Sequence, residues 1–327
     1  MSLRGRVLAL LLLAGFAPVV PAATAATAAT VATVADAWVS LAPGATFKEC
    51  EDCPGMVVIP AGSLRMGFDG GEQARYEGPV REVVIPRAFA VGRYELTHGQ
   101  YAAFVKATGY EGTRGCNVWD GAAQRLRRDP ATSWRDPGYG RAPQDNEPVA
   151  CVSWNDAKAY VAWVAKRTGH PYRLLTEAEW EYVARAGSST RFPWGEDPEQ
   201  ACRHANIYDA SAAVPVIPWP ATKCSDGYPG VAPIARFPPN AFGLYDVIGN
   251  VWEWVEDCYA MPYPATPVDG SAQLAAGCDR RAVRGGGWRT DVQRQRPSFR
   301  GRDPDVLLSQ IFGFRVARDL AVTAVAR

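Results

Sequence analysis

The sequence predicts an α+β domain with few regular elements, stapled by disulfides, and three observations carry that prediction. Glycine (31) and proline (26) are abundant enough to favour many turns and short irregular strands over a helical bundle. Three short segments carry complete helix punctuation, so helices are present but a minority. Eight cysteines stand in a chain that opens on an export-type leader, a setting in which they are expected to be oxidised in pairs. With 47% hydrophobic residues and 11 tryptophans, the chain has the material for a substantial core within one large, loop-rich domain.

In chain order, Arg4 and Arg6 precede the apolar run Val7 to Phe16 and the small residues around Pro21-Ala22-Ala23, the pattern of a secretory signal, expected over 1–26 with cleavage near Ala23 to Ala26. The run is too short to span a bilayer, and no cysteine follows it to carry a lipid. After cleavage no stable membrane anchor is expected, and the mature protein is expected to be periplasmic or secreted. An Ala/Thr/Val-biased stretch follows, read as a flexible linker over 27–45, with the folded domain over 46–320. Formal charge is +1; loss of Arg4 and Arg6 takes 35 basic residues to 33 against 34 acidic ones, so nothing electrostatic speaks for a nucleic-acid partner.

Met56 to Ile59 and Ser63 to Met66 flank Pro60-Ala61-Gly62 and read as a first hairpin. Glu82 to Ile85, Phe89 to Tyr94, Arg281 to Arg284 and Gly313 to Ala317 read as further short strands. Thr97-His98-Gly99-Gln100 is a capping box opening a helix with Tyr101, Phe104 and Val105 inward, stopped by Gly109. Ser153-Trp154-Asn155-Asp156 opens a second, with Tyr160, Val161 and Val164 inward and Gly169 as its stop. Thr176-Glu177-Ala178-Glu179 opens a third, with Trp180, Val183 and Ala184 inward and Gly187 ending it. Segments 111–148, 188–243 and 259–280 show no sustained period, and loops this long inside a compact domain are normally functional or stapled. A preference for short closed loops pairs Cys50 with Cys53, Cys116 with Cys151, Cys202 with Cys224 and Cys258 with Cys278, although eight cysteines allow many other pairings.

Ordered blocks along the chain resemble the formylglycine-generating-enzyme, or sulfatase-modifying-factor, family. They include Met56-Val57-Val58-Ile59-Pro60-Ala61-Gly62-Ser63, Gly92-Arg93-Tyr94-Glu95-Leu96-Thr97, Arg173-Leu174-Leu175-Thr176-Glu177-Ala178-Glu179-Trp180-Glu181, Phe192-Pro193-Trp194-Gly195, Gly249-Asn250-Val251-Trp252-Glu253-Trp254, Arg284-Gly285-Gly286-Gly287-Trp288 and Gly313-Phe314-Arg315-Val316. The resemblance covers about residues 54–318 and implies a compact irregular domain related to the C-type-lectin fold. Enzymes of the family oxidise the cysteine of a Cys-x-Pro-x-Arg motif to formylglycine with dioxygen and copper(I) held by two cysteines shortly after the Arg-Gly-Gly block. Soft thiolates suit Cu(I). Here the stretch Trp288 to Pro297 contains no cysteine, so copper is not expected and no catalytic residue is assigned.

The resemblance also implies two structural calcium ions. One would be bound by Asn206 and Asp226 with the carbonyls of Ile207 and Tyr228, the other by Asp246 and Glu253 with the carbonyls of Gly249 and Val251, all hard oxygen ligands. Trp288, Arg289, Arg294, Arg296 and Arg300 lie where the family holds its peptide and are candidates for a ligand groove; arginine suits carboxylate, sulfate and phosphate geometry, while salt bridges to loop carboxylates are the competing role.

Other chemistries are weaker. Cys50-Glu51-Asp52-Cys53 has redox or zinc spacing but no second pair, which favours a small disulfide. His98, His170 and His204 stand in unrelated contexts, against an iron centre. Gly285-Gly286-Gly287 lacks the Lys-Ser/Thr of a phosphate loop. The expectation is an exported family member not competent for cysteine-to-formylglycine oxidation, binding an unidentified peptide, protein or small anionic ligand in the groove. The alternative is a periplasmic oxidoreductase in protein or metabolite maturation, of the formylglycine-generating or the siderophore or nitrite-reductase maturation type. A lectin-like display scaffold is disfavoured because Trp288 to Arg302 is arginine-rich without asparagine.

Overall fold

The computed structural model describes residues 41–72, 77–212, 219–261 and 266–320; the expected signal segment and residues 27–40 of the expected linker lie outside them. Sheet pairing begins before Thr46. The Gly44 amide donates to the Val58 carbonyl at 2.8 Å and the Val58 amide to the Ala45 carbonyl at 2.9 Å, so the last residues assigned to the linker already belong to a sheet edge.

Two sheets and three helices carry the fold. The five-stranded sheet has the order β1 (Thr46–Phe47), β2 (Met56–Ile59), β5 (Phe89–Gly92), β13 (Val316–Asp319), β8 (Tyr172–Leu174). The four-stranded sheet runs β11 (Gly301–Pro304), β10 (Arg280–Arg284), β9 (Trp252–Cys258), β12 (Phe312–Phe314), with β12 parallel to β9. Two separate hairpins pair β3 (Gly62–Met66) with β4 (Arg81–Ile85) and β6 (Cys116–Asp120) with β7 (Arg125–Asp129).

The expected hairpin across Pro60-Ala61-Gly62 is therefore corrected. Strand β2 is buried at every position and takes β1 and β5 as neighbours, whereas β3 alternates buried and exposed and pairs with β4. Pro60, which has no amide proton, separates the two sheets instead of turning one. The single strand expected over Gly313 to Ala317 is also two: β12 ends at Phe314, β13 begins at Val316, and Arg315 is the residue at which the chain changes sheet.

Helix α1 (His98–Thr108) opens on a full capping box: Gln100 N–H donates to Thr97 Oγ1 and Thr97 N–H to Gln100 Oε1. Ser153 with Asp156 and Thr176 with Glu179 do the same for α2 (Trp154–Thr168) and α3 (Glu177–Arg185). Gly109 and Gly169 stop the first two in the left-handed conformation, but α3 is stopped one residue earlier than expected, by Ala186 at φ 43°. Each helix buries its predicted stripe, Tyr101, Phe104 and Val105; Tyr160, Val161 and Val164; Trp180, Val183 and Ala184. The four expected disulfides, Cys50–Cys53, Cys116–Cys151, Cys202–Cys224 and Cys258–Cys278, are all present and leave no free cysteine.

Candidate functional site

Two tight loops meet beside the four-stranded sheet. The first, 246–251, leads into β9; its residues Asp246, Gly249 and Asn250 all take positive φ (53°, 89° and 54°). A Cβ on Gly249 would lie 2.4 Å from the Asn206 carbonyl oxygen, so only glycine lets the backbone approach that closely. The second, 285–290, leaves β10. Gly286 turns at φ 79°, where a Cβ would collide with Gln295 Cγ at 2.5 Å. The loops are tied together by Trp288 N–H donating to the Asn250 carbonyl at 2.8 Å and Gly249 N–H to the Gly285 carbonyl at 3.0 Å.

Asn250 is the hub of this region, and the sequence marked it only as part of a motif. Its Nδ2 donates to Glu95 Oε2 at 2.8 Å, and its Oδ1 accepts from Ala232 N–H at 3.0 Å and Asn206 Nδ2 at 3.1 Å. It thereby links both expected calcium positions to the loop carrying Trp288.

At the first calcium position the structure brings the expected residues together and adds one. Asp226 accepts from Ile207 N–H at 2.8 Å and Tyr228 N–H at 2.7 Å. Asp209, fully buried, accepts from Ser211 N–H at 2.8 Å and from the Asp226 amide. Burial first, and then the charge of Asp209, pushes the Asp226 carboxyl up to about 6. Asn206 Oδ1 is buried with no hydrogen-bond donor among the described residues. Asn206 Oδ1 is thus an unpartnered buried acceptor one residue from the Ile207 amide that Asp226 holds, and with Asp209 against the Asp226 amide the set offers the hard oxygens that suit a divalent ion.

At the second position the fit is different. Glu253 is buried and accepts from Arg315 Nη2 at 2.8 Å and from Trp180 Nε1 at 2.8 Å. Asp246, buried and pushed up to about 6 mainly by desolvation, accepts from Ala235 N–H at 2.7 Å. Glu95, which sequence reasoning missed, is fully buried and held well above the usual carboxylate range by desolvation, then by Asp246 and Glu253. Three carboxylates thus share one guanidinium, and a cation there would balance the remainder.

The copper centre implied by the resemblance does not fit. Every cysteine is in a disulfide, and none falls between Gly285 and Leu320, so no thiolate is available to a soft metal.

Three of the candidate groove arginines are held by carboxylates. Arg294 Nη2 lies 2.7 Å from Glu72 Oε2, Arg296 pairs with Glu77, and Arg300 grips Glu177 through Nε and Nη2, both at 2.7 Å. Arg289 differs. Its guanidinium stacks 4.4 Å above the Trp288 ring and 5.8 Å from that of Trp119, with no carboxylate partner among the described residues. Trp288 is buried against Val231 and Val251, with Tyr139 edge-on at 6.2 Å. Nothing in the polar, irregular segment around Trp119 signalled that β6 would reach this loop.

Comparison with known proteins agrees with this architecture. The sequence model of the "Sulfatase-modifying factor enzyme 1-like domain" family matches residues 43–320. The chain is 38% identical over 241 residues to a formylglycine-generating enzyme of Thermomonospora curvata, covering 66% of this chain and 75% of that one. It is 32% identical to the "Inactive C-alpha-formylglycine-generating enzyme 2" of Bos taurus, over 86% of this chain and 91% of that one. Among solved structures, PvdO from Pseudomonas aeruginosa superposes with a TM-score of 0.71 at 38% identity, covering 85% of this chain and 99% of PvdO. The chain therefore belongs to the sulfatase-modifying-factor (formylglycine-generating-enzyme) family.

Proposed function

We propose that this protein is an exported family member that lacks the reactive cysteine pair, does not oxidise cysteine to formylglycine, and uses the groove around Trp288 and Arg289 to bind a peptide, protein or small anionic ligand. The observation that carries this reading is the state of its sulfur: eight cysteines form four disulfides, and the segment after the Arg284-Gly285-Gly286 turn supplies none. Without a thiolate pair, Cu(I) has no cysteine ligands at the groove. In the same place stands Arg289, a cation that would oppose a metal ion and attract an anion. A relative whose name marks it inactive, 32% identical over most of this chain, supports the idea that the fold persists without the reaction.

Four disulfides suit an oxidising compartment, and among the described residues no helix is long and apolar enough to cross a membrane. Periplasmic or secreted location is therefore part of the proposal. So is structural calcium, with Asn206, Asp226 and the carbonyls of Ile207 and Tyr228 holding one ion, and Asp246, Glu253 and the carbonyls of Gly249 and Val251 a second. Such ions would neutralise buried carboxylates and fix the loops that shape the groove. The test is exposure of a Cys-x-Pro-x-Arg peptide to the protein with copper(I) and dioxygen, where the expected result is an unchanged peptide.

A further inference from the structure

We infer that Arg289, Trp288 and Trp119 form a receptor for the carboxylate group of a small aromatic or apolar acid, which deepens the groove-binding reading above and rests on it.

The inference starts from an imbalance of donors. The guanidinium groups of Arg284, Arg294, Arg296, Arg300 and Arg315 all lie on glutamates. Arg289, half-buried, lies on none. Its Nε, the Trp288 Nε1 and the Trp119 Nε1 are buried donors with no acceptor among the described residues. A buried donor left unmade is unfavourable, and one on the cation itself, with one on each of the two indoles beside it, marks a place for an acceptor that the described residues do not provide. Stacking of Arg289 on the two indoles accounts for the position of the cation but satisfies none of the three N–H groups.

The surroundings select the acceptor. Burial pushes the Arg289 guanidinium down to about 10, so it stays protonated at neutral pH and carries one positive charge. A monoanion balances that charge. A phosphate dianion would leave excess negative charge in a partly dry site, and a metal cation would be repelled. The planar fork of a guanidinium matches the planar two-oxygen face of a carboxylate, with indole N–H groups left to complete its lone pairs. Trp288 packs into a buried cluster with Val231 and Val251, and the partly buried Tyr139 and Ile311 against that cluster offer apolar surface to the body of the acid. The site also has a firm frame: Trp119 stands on β6, whose first residue is bound through the Cys116–Cys151 disulfide, and Trp288 is tied to Asn250.

The experiment is calorimetric titration of the full mature chain with benzoate, benzyl alcohol, phenyl phosphate and phenyl sulfate, on wild type, R289Q, R289K and W119F. Benzoate is expected to saturate one site at least about tenfold more tightly than the neutral alcohol or the phosphate. R289Q should lose about tenfold or more. R289K, which keeps the charge without the fork, and W119F, which keeps a ring without the N–H, should each lose about threefold or more. No saturable benzoate binding by folded wild type, equal binding of benzoate and benzyl alcohol, tighter binding of the phosphate or sulfate ester, or unchanged affinity in R289K and W119F would overturn the inference. Oxidation of the Cys-x-Pro-x-Arg peptide would instead overturn the reading beneath it, so the two failures are distinguishable.

Discussion

Arg315 donates through Nη2 to Glu253 Oε1 at 2.8 Å, and neither side chain is more than 1% exposed. Arg315 stands where the chain passes from β12 to β13, and its Nη1 and Nη2 also donate to the carbonyls of Gly92 and Tyr245, at 2.9 and 2.8 Å. One guanidinium therefore holds both sheets and the loop that begins at Asp246. R315M would leave Glu253 buried without its cation beside Glu95 and Asp246, and is expected to destabilise the fold by about 3–5 kcal/mol. The double variant R315M/E253Q should recover part of that loss in urea unfolding. A double variant no more stable than R315M would show that the lost carbonyl contacts, and not the stranded charge, set the cost.

Calcium binding is expected to raise stability because an ion held only by the native state shifts unfolding by mass action, by about 2.7 kcal/mol at a hundredfold excess over Kd. A chelator should therefore lower the melting temperature, and D226N should remove the part due to the Asn206–Asp226 site. An unchanged melting curve on chelation would end the structural-calcium proposal.

The Cys116–Cys151 bridge joins β6 to the start of α2 across 35 residues. Replacing both cysteines by alanine should cost about 4 kcal/mol through the entropy regained by the unfolded chain. Thermal or urea melts of the pair-deleted protein would measure it. A loss below about 1 kcal/mol would mean that the hairpin is held by its other contacts.

The Asp257 carboxyl is pushed from its ordinary 3.8 up to about 8, first by burial and then by the charge of Glu177. Folded protein thus retains a proton that unfolded protein releases, and stability contributed by this group is present below about pH 4 and lost as pH rises toward about 8. Asp257 also accepts from the Glu177 and Gln273 amides, at 2.7 and 2.8 Å. D257N, having one oxygen for two donors, should be less stable by about 1–3 kcal/mol and show a flatter pH dependence across that window. Urea midpoints at several pH values give both quantities, and an unaltered slope in D257N would contradict the assignment.

The parts of the fold legible in the sequence were those written in local chemistry. Thr97 with Gln100, Ser153 with Asp156 and Thr176 with Glu179 announce helix starts within four residues, and the structure contains each reciprocal pair. Strand β9 gave no such signal: Glu253 and Asp257 sit buried among Trp252, Trp254 and Val255, so hydrophobic alternation is absent. Its carboxylates are compensated by Arg315, 62 residues away, and by the Glu177 and Gln273 amides, which only the topology brings near. Arg294, Arg296 and Arg300 are legible as a basic run but not as partners of Glu72, Glu77 and Glu177. Arg289 is singled out only by what does not face it.

The most direct test of the proposed loss of the family reaction is mass spectrometry of a Cys-x-Pro-x-Arg peptide incubated with the purified mature protein, copper(I) and dioxygen, beside an active formylglycine-generating enzyme. With four disulfides and no thiolate at the groove, the account predicts that the peptide keeps its cysteine while the control converts it. Appearance of the aldehyde in the sample, at a rate comparable to the control, would contradict the account and require a metal site built without the cysteine pair.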